Sequence, residues 1–170
     1  RLDSEGYEVK GVDTDPPEFE LPDTVETHIQ DLTTRPELPA ADVIIHLAAH
    51  SQVSPIVKKP SRAVENVLTT QHVLSESDRM DAFVINASSR DIYGNTLAPS
   101  EEEATPNSRN AYAASKIGAE AITNAYQHTH GVPATSFRLA NVYGPMDTNH
   151  RVIPIFIALA QNGDELEVYG

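Results

Sequence analysis

The sequence predicts an α/β protein built on a doubly wound parallel sheet, and three observations carry that prediction. Short apolar runs of strand length recur along the chain, at residues 43–49 (VIIHLAA), 82–87 (AFVINA) and 135–142 (TSFRLANV). Such near-continuous runs suit strands buried on both faces, as in parallel sheets. Longer stretches with helical spacing separate them, at residues 61–75 and 112–126. The polar residues able to do chemistry gather just after the strands, at the carboxyl edge where open α/β sheets bind ligands.

Each element has a local reason. Residues 1–13 (RLDSEGYEVKGVD) read as the tail of a helix, a turn at Gly6 and a strand over 7–12 that ends on the carboxylate of Asp13. Residues 16–24, rich in proline, are a loop. A partly alternating run at 25–32 (VETHIQDL) is the next strand and ends in Asp31 and Leu32. Pro36 and Pro39 break the segment 33–41 and leave it too short for a good helix. The strand at 43–49 carries His46 as a packed, hydrogen-bonded histidine and finishes in Leu47, Ala48 and Ala49. Residues 51–60, with Pro55 and Pro60, read as a loop. Ser61 then caps a helix to about residue 75 that turns Ala63, Val64, Val67, Leu68 and Leu74 toward the sheet. The strand at 82–87 delivers Ser88 and Ser89. The helix bearing Tyr112 and Lys116 is rich in alanine, contains Gly118, and is stopped by Gly131-Val132-Pro133. After the strand at 135–142 come a loop at 146–151, a helix at 152–162 with Pro154 in its first turn, and the start of a strand at 165–169.

Composition narrows the function classes. The 170 residues are enough for one core. Twelve basic against 25 acidic residues leave a net charge of −13, with only four lysines (Lys10, Lys58, Lys59, Lys116). Such a surface repels nucleic acid and anionic membranes. It is also the surface expected of a halophilic protein, whose self-repulsion is screened in high salt. With no cysteine there is no disulfide, thiolate nucleophile or thiolate metal site, and the composition suits a cytoplasmic protein. The seven histidines show no metal-binding spacing, so no metal is expected. No apolar run reaches the length of a membrane span.

The chemistry concentrates in residues 86–116 (NASSRDIYGNTLAPSEEEATPNSRNAYAASK). Tyr112 and Lys116, four apart, lie on one face of a helix. An ammonium that close favours phenolate, lowering a tyrosine from about 10 toward the range of proton exchange near neutrality. The pair is an acid/base device.

The strand ending Ser88-Ser89, the Tyr93-Gly94 turn four residues on and the Tyr-x-x-x-Lys helix together resemble the extended short-chain dehydrogenase/reductase family. Its nucleotide-sugar epimerases and dehydratases carry Ser-Ser-x-x-x-Tyr-Gly followed by Tyr-x-x-x-Lys. The resemblance implies a Rossmann-like fold, NAD as cofactor, a nucleotide-sugar substrate and a homodimer built on the Tyr112 helix. It implies Ser89, Tyr112 and Lys116 as catalytic residues, Ser89, Tyr112 and Asn141 at the substrate, and Asp13 on the adenosine ribose. Asp31 and Leu32 would lie near the adenine. Leu47, Ala48, Ala49, Asn66, Ser88, Tyr112 and Lys116, with Leu139 and Ala140 toward the nicotinamide, complete the cofactor set. Residues 1–145 would form a partial dinucleotide-binding domain and 146–170 the start of the substrate region. The first strand and its glycine-rich turn, which would precede residue 1 in such a fold, are not in the sequence, nor is most of the substrate region. Dehydratase relatives place an Asp-Glu pair after the serine or threonine, where this chain has Arg90-Asp91. The reading is therefore a UDP-glucose 4-epimerase-like enzyme, with a dehydratase or decarboxylase as alternatives. A third alternative is a non-catalytic fragment that binds no cofactor and associates through an unpaired sheet edge.

Overall fold

The computed structural model describes residues 1–96, 101, 105–144, 147 and 152–168; for residues 53 and 54 it describes the backbone alone. The predicted loop at 146–151 therefore lies mostly outside the described residues. The chain forms two compact units, Arg1–Arg138 and Leu139–Gly170.

In the first unit the strands are β1 (Lys10–Asp13), β2 (Glu26–Ile29), β3 (Val43–His46), β4 (Phe83–Ser89) and β5 (Ala134–Leu139). The helices are α1 (Val53–Lys58), α2 (Ser61–Met80) and α3 (Ala111–Thr129). Strands β1 and β2 pair in parallel as one sheet, and β3-β4-β5 form a second, in which β3 and β4 are parallel. The fold is α/β and Rossmann-like, with parallel sheets and helices, as the sequence predicts.

Alternation along the strands shows where the core sits. Val84, Asn86 and Ser88 of β4 are buried while Phe83 is exposed, and on β3 His46 is buried while Val43 and Ile45 are exposed. Helices α2 and α3 cover one face, and the other face is open among the described residues. The central core comprises Leu32, Leu38, Val73, Leu74, Val84 and Val132, with Val12, Ile44, Met80, Ile122, Tyr126 and Ala134 packed around it. Fully burying side chains of this kind stabilises by about 1.5–3 kcal/mol each.

Several elements differ from expectation for identifiable reasons. The segment read as a loop at 51–60 contains α1, whose Pro55 sits in the first turn, where its missing N–H breaks no bond. Strand β2 stops at Ile29, because Asp31 accepts the Thr33 N–H at 2.8 Å and caps a short 3-10 turn over Leu32–Thr34. Helix α2 continues to Met80 and buries Asn66, Thr69, Thr70, His72, Val73 and Ser77 as well as Leu74, while Val64 and Leu68 are exposed. Beside Val73 and Leu74 its inner face carries polar groups, which are tolerated because they bond backbone: Thr69 and Thr70 bond the Asn66 carbonyl, His72 that of Leu32 and Ser77 that of Ala82. Residues 165–168 pair with no strand among the described residues.

In the second unit, α4 (Val152–Asn162) takes its predicted bounds and ends at Gly163, at φ 76°. Val152, Ile155 and Ile157 are exposed on it.

Candidate active site

Strand β4 carries the two candidate serines to its carboxyl end, where Ser88 and Ser89 are both buried. Ser89 caps a 3-10 turn over Arg90–Tyr93, its Oγ accepting the Asp91 N–H at 3.2 Å. A hydroxyl that accepts there keeps its own proton for donation. The turn closes at Gly94, at φ 62° and with its N–H on the Asp91 carbonyl. A Cβ at this glycine would stand 2.7 Å from the Asn107 carbonyl oxygen, so both backbone angle and space call for glycine.

Helix α3 supplies the second half. Asn110, in extended conformation, accepts the Ala113 N–H on Oδ1 at 2.8 Å and starts the helix. Tyr112 falls in the first turn and Lys116 one turn later, with the ammonium 5.9 Å from the centre of the Tyr112 ring. Lys116 is buried, and its Nζ donates to the Ala87 carbonyl of β4 at 2.7 Å. Burial pushes that ammonium down from 10.5 to about 8. The lysine thus ties α3 to the strand that bears Ser88 and Ser89.

Other predicted residues are supports. The Asn66 amide accepts the His50 N–H at 2.7 Å and donates to the His50 carbonyl and to Ser115 Oγ, each at 3.1 Å. Ser115 Oγ in turn bonds the Tyr112 carbonyl, so Asn66 fastens the first turn of α3 to the loop after β3. His46 is the packed core histidine expected, with Nε2 3.1 Å from Thr70 Oγ1. Burial, with Lys116 nearby, pushes it down from 6.5 to about 4, so it is neutral at pH 7.

Asp13 stands exposed at the end of β1, with Oδ1 accepting the Thr14 N–H at 2.7 Å. Asp31 is held similarly by Thr33, whose hydroxyl and N–H keep the carboxyl below its usual range. The Leu32 side chain lies in the core and its carbonyl accepts from His72, so any contact it makes with a ligand is through backbone. Leu47 and Ala48 are exposed and Ala49 half-exposed beyond β3. Leu139, Ala140 and Asn141 are exposed in the second unit. Among the described residues no cluster of three metal-ligating side chains occurs.

A dinucleotide fits these donors and acceptors on two counts. The exposed Asp13 carboxylate suits a ribose diol, and the Ser88 hydroxyl is buried with no hydrogen-bond partner among the described residues. Asp13, Asp31 and Ser88 would hold it. The sequence reading did not single out Ser115, Glu120 or Arg138. A lone arginine inside an apolar strand run was the available signal for the last, since a guanidinium there requires a partner.

Fold and candidate site together define a Rossmann-like α/β protein with a Tyr-x-x-x-Lys helix beside the carboxyl end of a sheet strand. Comparison with known proteins gives the family: the profile of the NAD dependent epimerase/dehydratase family matches residues 1–170, and the chain belongs to that family, with NAD as cofactor. It is similar to the low-salt glycan biosynthesis protein Agl12 of Haloferax volcanii, at 35% identity over 152 residues, 86% of this chain and 48% of that protein. It is similar also to the dTDP-glucose 4,6-dehydratase of Xanthomonas campestris, at 32% identity over 143 residues, 76% of this chain and 40% of that protein. Among solved structures, Thermus thermophilus UDP-glucose 4-epimerase in complex with NAD superposes with a TM-score of 0.85 at 26% identity, covering 99% of this chain and 60% of that one. The chain spans less than half the length of these two curated relatives. Relatives of both kinds, epimerases and dehydratases, surround it.

Proposed function

We propose that the protein is a nucleotide-sugar epimerase of the UDP-glucose 4-epimerase kind, with Ser89, Tyr112 and Lys116 as its catalytic residues. The observation that carries this reading is the buried Lys116 ammonium, anchored on β4 and facing the ring of Tyr112. Lys116 favours the phenolate, and Tyr112 removes the proton of a sugar hydroxyl at its Oη. Ser89, its Oγ oriented by the Asp91 N–H, donates a hydrogen bond to the same sugar oxygen. NAD, when bound, supplies the reversible hydride acceptor. Asp13 selects the unphosphorylated ribose, because its carboxylate repels a 2′-phosphate. Asn141 contributes to the sugar nucleotide, and Leu47 to Ala49, Asn66, Leu139 and Ala140 to the dinucleotide surroundings. We place the enzyme in the cytoplasm and expect it to be a homodimer that packs through α3.

Epimerisation is favoured over dehydration by Arg90, which is exposed where dehydratases place a carboxylic acid. A guanidinium does not donate a proton near pH 7. The test is to incubate the intact protein with NAD and either UDP-glucose or dTDP-glucose and follow the sugar by NMR. A C4 epimer is the expected product; a 4-keto-6-deoxy sugar would replace this reading with the dehydratase one.

A different class of function is favoured by one observation. Strands β1 and β3 are not paired with each other and belong to separate sheets, so both offer open backbone edges among the described residues. On that reading these 170 residues act as a binding segment that takes up a strand. Calorimetric titration with NAD separates the two: micromolar binding supports the enzyme, and no heat supports the binding segment.

A further inference from the structure

We propose that Arg138 is a positioning residue that clamps the turn beginning at Ser89 against helix α3. The proposal rests on the catalytic reading above, which makes the placement of Ser89 relative to Tyr112 and Lys116 matter.

Arg138 stands on β5 and reaches two elements at once. Its Nε lies 3.0 and 3.3 Å from the two carboxylate oxygens of Glu120, and its Nη2 lies 2.8 Å from Oε2. Glu120 is one helical turn beyond Lys116 on α3. The remaining arm, Nη1, donates to the Tyr93 hydroxyl at 3.1 Å and to the Glu101 carbonyl at 3.4 Å. The guanidinium carbon also sits 5.0 Å from the centre of the Tyr93 ring. Tyr93 is buried and is the last residue of the 3-10 turn that Ser89 caps. One planar cation therefore joins β5, the Tyr112/Lys116 helix and the Ser89 turn.

The arrangement suits positioning. The side chains of Arg138 and Glu120 are only 18% and 14% exposed, so water and salt screen the pair weakly. Glu120 and Tyr93 together raise Arg138 above its ordinary value, so it stays charged at every working pH. A fork that engages a carboxylate with one edge, a phenol with the other and a ring with its face has no lysine equivalent. The mechanism gives Arg138 no contact with a reacting atom. Its effect passes through Tyr93 to the turn and through Glu120 to the helix.

The test uses the intact protein with Arg138→Lys, and with Glu120→Gln/Arg138→Gln as a second variant. The double variant removes both charges of the pair together, so that neither is left buried and unpaired. Two readouts are taken. Hydrogen exchange at the Asp91 and Gly94 amides, which close the turn, is expected to speed up about tenfold while that of Val84 in the core is unchanged. With NAD and whichever of UDP-glucose or dTDP-glucose the wild type converts, kcat is expected to fall about ten- to a hundredfold with KM within about twofold. Unchanged exchange at Asp91 and Gly94 in both folded variants overturns the clamp, as does an unchanged kcat. Wild-type protein that binds no NAD and converts neither sugar nucleotide sinks the catalytic reading, and the exchange data then decide the clamp alone.

Discussion

Lys116 holds a charge where burial penalises it, and the consequence can be read in stability as well as in catalysis. Its folded value near 8 lies below the ordinary 10.5, so between those values the unfolded chain binds more protons and stability rises with pH. Below about pH 8 the folded state carries the whole penalty, on the order of 3 kcal/mol. Lys116→Met is therefore expected to abolish turnover, by about a hundredfold or more, without lowering the denaturation midpoint at pH 7. The variant should also lose the rise in midpoint between pH 8 and 10.5; a variant that unfolds more easily at pH 7 would contradict the burial penalty. His46 acts in the acid range by the same logic. Its folded value near 4 lies below 6.5, so stability is lost as pH falls through that interval. His46→Gln, which can still bond Thr70, should flatten the acid limb of a urea-midpoint curve between pH 6.5 and 4. The sequence made the pairing of Tyr112 with Lys116 legible, because helical spacing alone sets it. It could not reveal that Lys116 is anchored on the Ala87 carbonyl, a contact between elements 29 residues apart.

At the scale of elements, capping decides where the segments proposed to be catalytic begin. Asn110 caps α3 with its own amide oxygen, which accepts the Ala113 N–H. Asn110→Ala should cost about 1 kcal/mol of unfolding free energy, read by denaturant titration, and Asn110→Ser should restore most of it. Gly94 is less replaceable. Gly94→Ala forces a Cβ into the Asn107 carbonyl at a left-handed φ, and a loss of about 1–3 kcal/mol is expected, with lower kcat from the displaced Ser89 turn. The bounds of α4 and the stop at Gly131 were legible, since proline and glycine act locally. Helix α1 was not, because two prolines argued for a loop and only its first-turn position makes Pro55 tolerable. The buried face of α2 was misjudged for another reason. Apolar spacing pointed to Val64 and Leu68 as well as Leu74; Leu74 is buried, but in place of the other two the helix buries Val73 and polar side chains that satisfy carbonyls.

For the whole molecule, the surface charge of −13 dominates behaviour in solution. Arg138–Glu120 is a shielded ion pair, while Arg1–Glu5 and Lys10–Glu8 are open to solvent and offset little of the acidic excess. Screening that excess should raise the thermal midpoint as KCl is increased, and a midpoint that falls or stays level from low to molar salt would remove the halophilic reading. No helix among the described residues is long and apolar enough to cross a membrane.

By itself the sequence determined the α/β class, the order of strands β1 to β5 and of the longer helices, the Ser-Ser and Tyr-x-x-x-Lys motifs and the family they belong to. Those properties follow from spacing along the chain and from residue types at strand ends. Tertiary structure alone decided which polar groups are sheltered: the anchoring of Lys116, the neutrality of His46, the use of Asn66 as a brace and the Arg138 fork. Each depends on low-dielectric surroundings and on partners remote in sequence, and neither periodicity nor composition encodes those distances.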